Sequence, residues 1–181
     1  MPAFSLNGSS PNRRQGAMMQ MGSRLALVQS RVAAEWVDYN GHMNDACYCI
    51  LFSRAVDEFM VRIGVDPAYR QATHHSMYTL EMHVRYLQEV REGAPVALDA
   101  QLLGSEAKKV RVFLRMMHGD TGALLATSEQ LLLHVDQQAA RAAPFPADVT
   151  SNLAKLVAGH ETLPRPEGAG RGIALQRSKG A

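Results

Sequence analysis

The strongest constraint on the fold is the segment 44–63, in which apolar side chains recur at the spacing of an α-helix. Two adjacent rows of these side chains, each at spacing four, give the helix a broad apolar face, so most of it must be buried. Asn44 can cap the first turn with its side-chain oxygen, and Gly64 tolerates the left-handed backbone that ends many helices. The two rows are Tyr48, Phe52, Val56 and Met60, and Leu51, Ala55, Phe59 and Ile63.

Five other segments have the composition or the period of two that is typical of strands. Turns at 104–107 and 119–122 join neighbouring strands as antiparallel hairpins. Short helices are predicted at 66–72 and 147–158. The strand segments are 25–33, before the long helix, and 76–87, 95–103, 109–118 and 123–135, after it.

This order of elements predicts an α+β domain in which one antiparallel sheet curls around the long helix. The chain of 181 residues, 46% of them hydrophobic, suffices for one such domain. We assign residues 24–160 to it, with a flexible extension at 1–23 and an extended tail at 161–181. The edge of the sheet stays open, which predicts pairing with a second copy, as a homodimer or a dimer of dimers.

Charge and hydropathy argue against nucleic acid and membrane as partners. The formal net charge is +2, but seven basic side chains lie in residues 1–24 and 163–181, and the stretch between them has net charge −4. A basic face for nucleic acid is therefore not expected. No apolar run reaches the roughly 18 residues of a membrane span, and no signal peptide follows Arg13 and Arg14, so we expect a soluble, cytoplasmic protein.

The loop before the long helix, EWVDYNGHMNDACY at 35–48, has two interpretations. Asp38 can be a turn residue whose carboxylate accepts hydrogen bonds from backbone amides. It can also be a general base or a nucleophile, because Gly41 lets a ligand approach the backbone and the helix start offers unpaired amides to an oxyanion. His42 can donate to a substrate carbonyl or hold the loop by bonding backbone.

Other catalytic chemistries lack their sequence signals. The seven histidines have no ligand spacing such as H-E-x-x-H, and Cys47 and Cys49 lack a second pair, so no metal site is predicted. The two cysteines diverge on a helix and are interpreted as reduced thiols. The sequence contains no G-x-S-x-G elbow and no phosphate-binding glycine loop after a strand. Hydrolysis needs no redox group, and no cofactor is expected.

The stretch WVDYNGHMNDACY resembles the signature loop of hotdog-fold acyl-CoA thioesterases of the 4-hydroxybenzoyl-CoA thioesterase-like group. In that group an Asp three residues before a Gly opens the central helix, as Asp38 and Gly41 do here, and His42 and Asn44 fit the rest of the motif. The resemblance implies a hotdog fold with Asp38 as the catalytic carboxylate. It also implies that amides from Gly41 to Asn44 polarise the thioester carbonyl, in an acyl pocket between two protomers.

Two longer stretches are most similar, within that group, to the betainyl-CoA thioesterases of carnitine breakdown. They are TLEMHVRYLQEVREG at 79–93 and LLATSEQLLLHVD at 124–136, together with the tail LPRPEGAGRGIAL. The implied reaction is hydrolysis of a short acyl-CoA thioester to free acid and CoA, with betainyl-CoA as the candidate substrate. Two rival functions stay open: a hotdog dehydratase acting on acyl thioesters, and a non-catalytic acyl-CoA-binding module.

Candidate substrate contacts follow from the chemistry of such an ester. A trimethylammonium group needs aromatic faces and negative charge, because it cannot donate a hydrogen bond. Each candidate also has a structural interpretation, as a core aromatic, an exposed strand residue or a solvated turn. Glu58, a second carboxylate candidate on the helix, falls on its polar side. The candidates are Trp36, Tyr39, Met43 and Tyr48 near Asp38, Glu81 in a strand, and Lys108 and Lys109 for the coenzyme A phosphates.

Overall fold

Helix α1, Asp45–Ile63, forms the centre of the structure, a computed structural model that describes residues 23–175. The two apolar rows predicted from the sequence face the core. Full burial of a Leu, Ile or Phe side chain contributes roughly 1.5–3 kcal/mol, so this helix carries a large share of the folding energy. The most deeply buried residues are Leu51, Phe52, Ala55 and Ile63, at 0% exposure, and Phe59, at 1%.

Both ends of α1 are set by the residues predicted to cap it. The Asn44 side-chain oxygen accepts a hydrogen bond from the Ala46 amide at 3.0 Å. Gly64 has φ 97°, a left-handed conformation that an L side chain rarely adopts, and its amide donates to carbonyls of the last helical turn. The position of the helix start is therefore fixed by local chemistry as well as by burial.

A single antiparallel sheet curls around α1, in the strand order β1-β3-β4-β5-β2, with β6 paired to β5. One face of β4 contributes Val110, Val112, Leu114 and Met116 to the core, as its alternation predicts. The α+β hotdog prediction is confirmed. The strands are β1 Leu25–Arg31, β2 His75–Tyr86, β3 Pro95–Ser105, β4 Lys109–His118, β5 Leu124–Asp136 and β6 Arg141–Ala142.

Two shorter helices complete the described chain. Helix α2, Pro67–Thr73, is capped by the Asp66 carboxylate, which accepts the Tyr69 amide at 2.8 Å. Helix α3, Ala147–Glu161, begins at the predicted residue and runs one turn further than predicted. Within residues 23–175, none of the helices combines the length and the apolar character needed to cross a bilayer.

The sheet differs from the sequence prediction in detail at two places. Strand β1 ends at Arg31, and a 3-10 turn, Ala34–Trp36, follows it, where the strand had been predicted to continue to residue 33. Strand β3 continues through Ser105, so the turn predicted at 104–107 lies at 106–108. The pairing of β3 with β4 shifts register between Leu102 and Gly104, and Gly104 therefore belongs to an irregular strand rather than to the turn.

The chain after α3 crosses the face of the sheet opposite α1. The Gln101 side chain donates to the Pro164 carbonyl at 3.3 Å, and the Gly170 amide donates to Glu129 Oε2 at 2.6 Å. This part of the predicted tail is therefore attached to the sheet by specific hydrogen bonds. Nearly all of the extension predicted at 1–23 and the end of the tail, residues 176–181, lie outside the described residues.

Strand β2 is an edge strand of the sheet. It pairs with β5 on one side and has no partner strand on the other side among the described residues. Several of its large side chains are about half exposed. An edge strand with exposed apolar side chains is a template for pairing with another strand. These side chains are Tyr78, Leu80, Met82 and Tyr86, which are 45–49% exposed.

Burial favours the neutral form of two histidines, and hydrogen bonds fix which ring nitrogen carries the proton. His134 is 0% exposed, and its Nδ1 lies 2.9 Å from the Ala143 carbonyl oxygen. Since a carbonyl can only accept, Nδ1 carries the proton and Nε2 accepts from the Tyr69 hydroxyl at 2.9 Å. Burial lowers the pKa of His134, and the same cause lowers the pKa of His160, whose Nδ1 accepts the Leu102 amide at 2.8 Å.

We expect the free energy of unfolding to decrease as the pH falls below about 6.5, the value for an unperturbed histidine. In that range the unfolded chain binds protons that the folded chain, with its lowered histidine pKa values, does not bind. The measurement is urea unfolding at pH 5, 6 and 7. His134→Gln should flatten this pH dependence, whereas His74→Asn, at an exposed left-handed position, should leave its slope unchanged. Equal slopes for His134→Gln and the parent chain would contradict the assignment.

Candidate active site

The loop between β1 and α1 is a small hairpin that delivers the chain to the helix start. The Asp38 amide donates to the His42 carbonyl and the Gly41 amide donates to the Asp38 carbonyl, each at 3.0 Å. Gly41 has φ 77°, and no atom lies within 4 Å of the position that a Cβ would take. A side chain there would be strained by the backbone conformation rather than by crowding.

Two backbone hydrogen bonds fasten this hairpin to the rest of the fold. The Met43 amide donates to the Val90 carbonyl at 2.8 Å, and the Asn44 amide donates to the Trp36 carbonyl at 2.8 Å. The residues that follow Asp38 are thus held between the 3-10 turn and the segment after β2. The loop has a defined position relative to the first turn of α1.

The Asp38 carboxylate is half-buried and is oriented by Asn40. Its Oδ1 accepts the Asn40 amide at 2.8 Å, and its Oδ2 lies 3.4 Å from the Asn40 side-chain nitrogen. This is the turn interaction that was one interpretation of Asp38. A carboxylate has about four lone-pair sites, so these bonds leave capacity to bind a water molecule or to attack a carbonyl. The turn and a chemical role are compatible.

The amides expected to polarise a substrate carbonyl are largely occupied. Gly41, Met43 and Asn44 all donate to backbone carbonyls, as described above. The Ala46 amide is taken by the Asn44 and Asp45 side chains. Two amides of this segment, those of His42 and Asp45, have no acceptor among residues 23–175, and the Asp45 amide is the one that lies at the first residue of α1.

The sequence predicts donor amides at the helix start, and the structure adds Asp45 as a candidate among them. The signal was present, because an N-cap side chain satisfies the second or third amide of a helix and leaves the first one free. With Asn44 as the cap, that first amide belongs to Asp45. The aligned peptide dipoles of α1 add partial positive charge at the same point.

His42 contacts a carboxylate rather than the backbone. Its Nδ1 lies 3.3 Å from Oε2 of Glu89, in the segment that follows β2. His42 is half-buried and Glu89 is largely exposed. Glu89 is not predicted from the sequence, since the pair forms only when the end of β2 reaches the loop.

A groove of about 320 Å³ opens beside the first turn of α1. The Tyr48 and Tyr86 rings meet edge to face, with centroids 5.3 Å apart and planes at 86°. Tyr48 donates to the Gln88 carbonyl and Tyr86 to the Asp45 carbonyl, each at 3.3 Å. The groove is lined by Met43, Asp45, Tyr48, Tyr86, Leu87, Gln88 and Glu89.

The two tyrosines keep their protons at physiological pH. Burial is the largest cause that raises the pKa of Tyr48, and nearby Glu89 adds to it. Burial also raises the pKa of Tyr86, with a further contribution from the Cys49 thiol 3.6 Å from its hydroxyl. The groove therefore presents neutral aromatic rings beside the carboxylates of Asp45 and Glu89.

The predicted substrate contacts are only partly brought together. Met43 and Tyr48 line the groove, but Tyr39 is 96% exposed. The Trp36 ring already faces the Arg54 guanidinium, 5.4 Å from the ring centroid. Glu58 is exposed, as expected from its place on the helix.

Glu81 and the two lysines lie away from this groove. Glu81 lines a second cavity, of about 340 Å³, on the opposite face of the sheet, beside the Arg111–Glu129 ion pair. Lys109 pairs with Leu133, which pairs with Tyr78, eight residues along β2 from Tyr86. These eight residues span roughly 26 Å of strand. Within one copy, Lys108 and Lys109 therefore lie too far from the groove to contact an acyl group bound there.

The arrangement provides three things that thioester cleavage requires. Asp38 supplies a fixed carboxylate, the Asp45 amide supplies a free donor at the positive end of a helix, and the groove supplies space for an acyl group. An amide donor of this kind stabilises the negative charge that develops on a carbonyl oxygen under attack.

Residues 32–153 match the model of a family described as the Thioesterase-like superfamily. The chain is 44% identical over 155 residues to the betainyl-CoA thioesterase of Pseudomonas aeruginosa, covering 86% of this chain and 98% of that protein. It is 41% identical over 170 residues to the L-carnitine dehydrogenase/betainyl-CoA thioesterase of Rhizobium meliloti, covering 94% of this chain but only 33% of that longer protein.

A solved structure with a similar fold supports the same relationship. A Staphylococcus aureus protein in complex with CoA superposes with a TM-score of 0.79 and 28% identity, over 84% of this chain and 97% of that one. Sequence and fold thus lead to one conclusion: the chain belongs to the Thioesterase-like superfamily, a family of thioester hydrolases with the hotdog fold.

Proposed function

We propose that this protein hydrolyses short acyl-CoA thioesters to the free acid and CoA, with betainyl-CoA as its preferred substrate and Asp38 as its catalytic carboxylate. The observation that carries the proposal is the placement of an oriented carboxylate in the loop that leads to an unpaired amide at the start of α1. The betainyl-CoA thioesterase and the CoA complex among the similar proteins support the substrate class.

In the proposed mechanism the thioester carbonyl oxygen accepts the Asp45 amide. Asp38 takes a proton from water as the water oxygen attacks the carbonyl carbon, and the oxyanion is stabilised by the amide and the helix dipole. The carbon–sulfur bond then breaks, and the proton passes to the CoA thiolate. In the second route that this geometry allows, Asp38 attacks the carbonyl carbon and the carbon–sulfur bond breaks to release the CoA thiolate. Water then opens the resulting anhydride to the free acid and the Asp38 carboxylate, and the proton released passes to the thiolate.

We expect Asp38→Asn to lower kcat by about 10²–10⁴-fold, the usual contribution of a general base. Asparagine can still accept the Asn40 amide, so the turn should persist and the effect should fall on chemistry rather than folding. The measurement is release of free thiol from betainyl-CoA, within a panel of acyl-CoA esters. Asp57→Asn, on the exposed side of α1, is the matched control and should keep full activity.

Three outcomes would overturn this proposal. If Asp38→Asn released thiol at the parent rate, Asp38 would be a turn residue only. If no ester of the panel released thiol while the protein still bound CoA esters, the non-catalytic module would be favoured. Hydration of an enoyl thioester without thiol release would favour the dehydratase.

We further propose that the active unit is a homodimer paired along β2. Antiparallel pairing of two identical strands about their middle brings residue 75 of one copy opposite residue 86 of the other. The half-exposed apolar side chains of β2 would then be covered. The end of the sheet that carries Lys108 and Lys109 in one copy would lie beside the groove of the other.

This pairing gives the two lysines a function that one copy alone does not allow. Lys109 of one copy would lie about three strand spacings, roughly 14 Å, from the paired strand of the other, near its His83. Coenzyme A is a long molecule with phosphates remote from the thioester. The lysines would therefore meet the phosphates, while the acyl group occupies the groove.

The double variant Lys108→Ala, Lys109→Ala should raise KM for acyl-CoA several-fold, because charge-assisted contacts to phosphate are lost. With the N-acetylcysteamine thioester of the same acid, which has no phosphate, KM should not change. Steady-state kinetics with both esters provide the measurement, and sedimentation checks that the protein is a dimer. An equal rise in KM for both esters, or a monomeric active protein, would contradict the paired arrangement.

A further inference from the structure

We propose that the groove beside α1 is a cation site, in which the exposed ring of Tyr86, supported by Tyr48, and the carboxylates of Asp45 and Glu89 recognise a quaternary ammonium in the acyl group. This inference rests on the proposed thioesterase function and names the residues that give it specificity. Of the aromatic residues predicted from the sequence, the site keeps Tyr48 and has Tyr86 in place of Trp36 and Tyr39.

The shape of the groove suits a trimethylammonium group. A quaternary ammonium cannot donate a hydrogen bond and is recognised by the negative faces of aromatic rings. Tyr86, which is 49% exposed, presents its ring to the groove, and Tyr48, which is 3% exposed, meets that ring edge to face at 86°, with centroids 5.3 Å apart, and fixes its orientation. Met43 and Leu87 line the same space and can contact the methyl groups.

The charges around the groove favour a cation. Its lining contains two carboxylates, Asp45 and Glu89, and no Lys or Arg among the described residues. Glu89 has His42 as a neighbour at 3.3 Å, and this contact holds its carboxylate toward the loop. A cation in the groove would thus have negative charge on two sides.

The position of the groove agrees with the covalent structure of the ester. In a betainyl thioester a single methylene separates the ammonium nitrogen from the carbonyl carbon. A carbonyl oxygen bonded to the Asp45 amide therefore places the ammonium group within a few ångströms of Asp45, which also lines the groove. One residue serves the oxyanion through its backbone and the cation through its side chain.

The other aromatic candidates are unsuitable as they stand. Arg54 occupies the face of Trp36, and a second cation cannot share that face. Tyr39 is 96% exposed, so contact with it would remain in water, where a cation–π interaction is weak. Tyr86, which the sequence analysis did not select, takes their place.

The test compares two esters of the same shape. Betainyl-CoA carries a trimethylammonium group, and 3,3-dimethylbutyryl-CoA carries an uncharged tert-butyl group in its place. The quantity measured is the ratio of kcat/KM for the charged ester to that for the neutral ester. We expect the parent protein to favour the charged ester.

Tyr86→Leu should lower this ratio by about tenfold, the effect expected of losing one aromatic face around a desolvated cation. Tyr86→Phe should retain most of the preference, because it keeps the ring. Glu89→Gln should lower the rate with the charged ester and leave the neutral ester nearly unchanged. Tyr78→Leu is the matched control for effects on pairing along β2. Tyr78 lies in the same strand and is also 49% exposed, but it bonds Gln137 away from the groove, so any effect should fall equally on both esters and leave the ratio unchanged.

The outcomes separate this inference from the proposed function. If thiol is released but Tyr86→Leu slows both esters equally, or the parent shows no preference, the cation site is wrong and the thioesterase stands. If neither ester is cleaved, the thioesterase proposal fails. In that case the cation site is tested separately, by NMR measurement of saturation transfer from the protein to the methyl protons of added glycine betaine. Transfer that disappears in Tyr86→Leu supports the site, and transfer that persists there, or is missing in the parent, overturns it.

Discussion

Burial of α1 in the curled sheet is the interaction on which the other features depend. Its apolar face is almost completely removed from water, so the helix cannot slide or rotate without exposing Phe52 or Phe59. Because Asn44 fixes where the helix begins, the free Asp45 amide is held at a definite point relative to the sheet. The chemistry of the site therefore rests on a core that has no chemical role itself.

The sequence was sufficient to predict those features that depend on local periodicity. The two rows of α1, its caps and the alternation of β4 are all encoded within a few neighbouring residues, and the structure agrees with them. The groove could not be predicted, because Tyr86 and Glu89 reach Tyr48 and His42 from the far end of β2, about forty positions along the chain. Trp36 was misjudged for a related reason, since nothing local indicates that Arg54 covers its ring.

The turn interaction of Asp38 is compatible with the catalytic role proposed for it. The Asn40 amide that makes Asp38 a turn residue also fixes the orientation of its carboxylate, 2.8 Å away. A catalytic base gains from such restraint, because its position relative to the carbonyl is set before the substrate arrives. In the proposed mechanism Asn40 is thus a positioning residue, and the hydrogen bonds of the loop serve the reaction through geometry.

Charge distribution connects the groove with the proposed dimer. A groove with two carboxylates repels the phosphates of coenzyme A, so these phosphates must be bound elsewhere. Within one copy, Lys108 and Lys109 lie at the wrong end of the sheet, roughly 26 Å along β2 from Tyr86. Pairing along β2 would bring the end of the sheet that carries these lysines toward the acidic groove of the other copy. The substrate, cationic at its acyl end and anionic at its nucleotide end, would then bind in one direction across two copies, with its carbonyl at the start of α1.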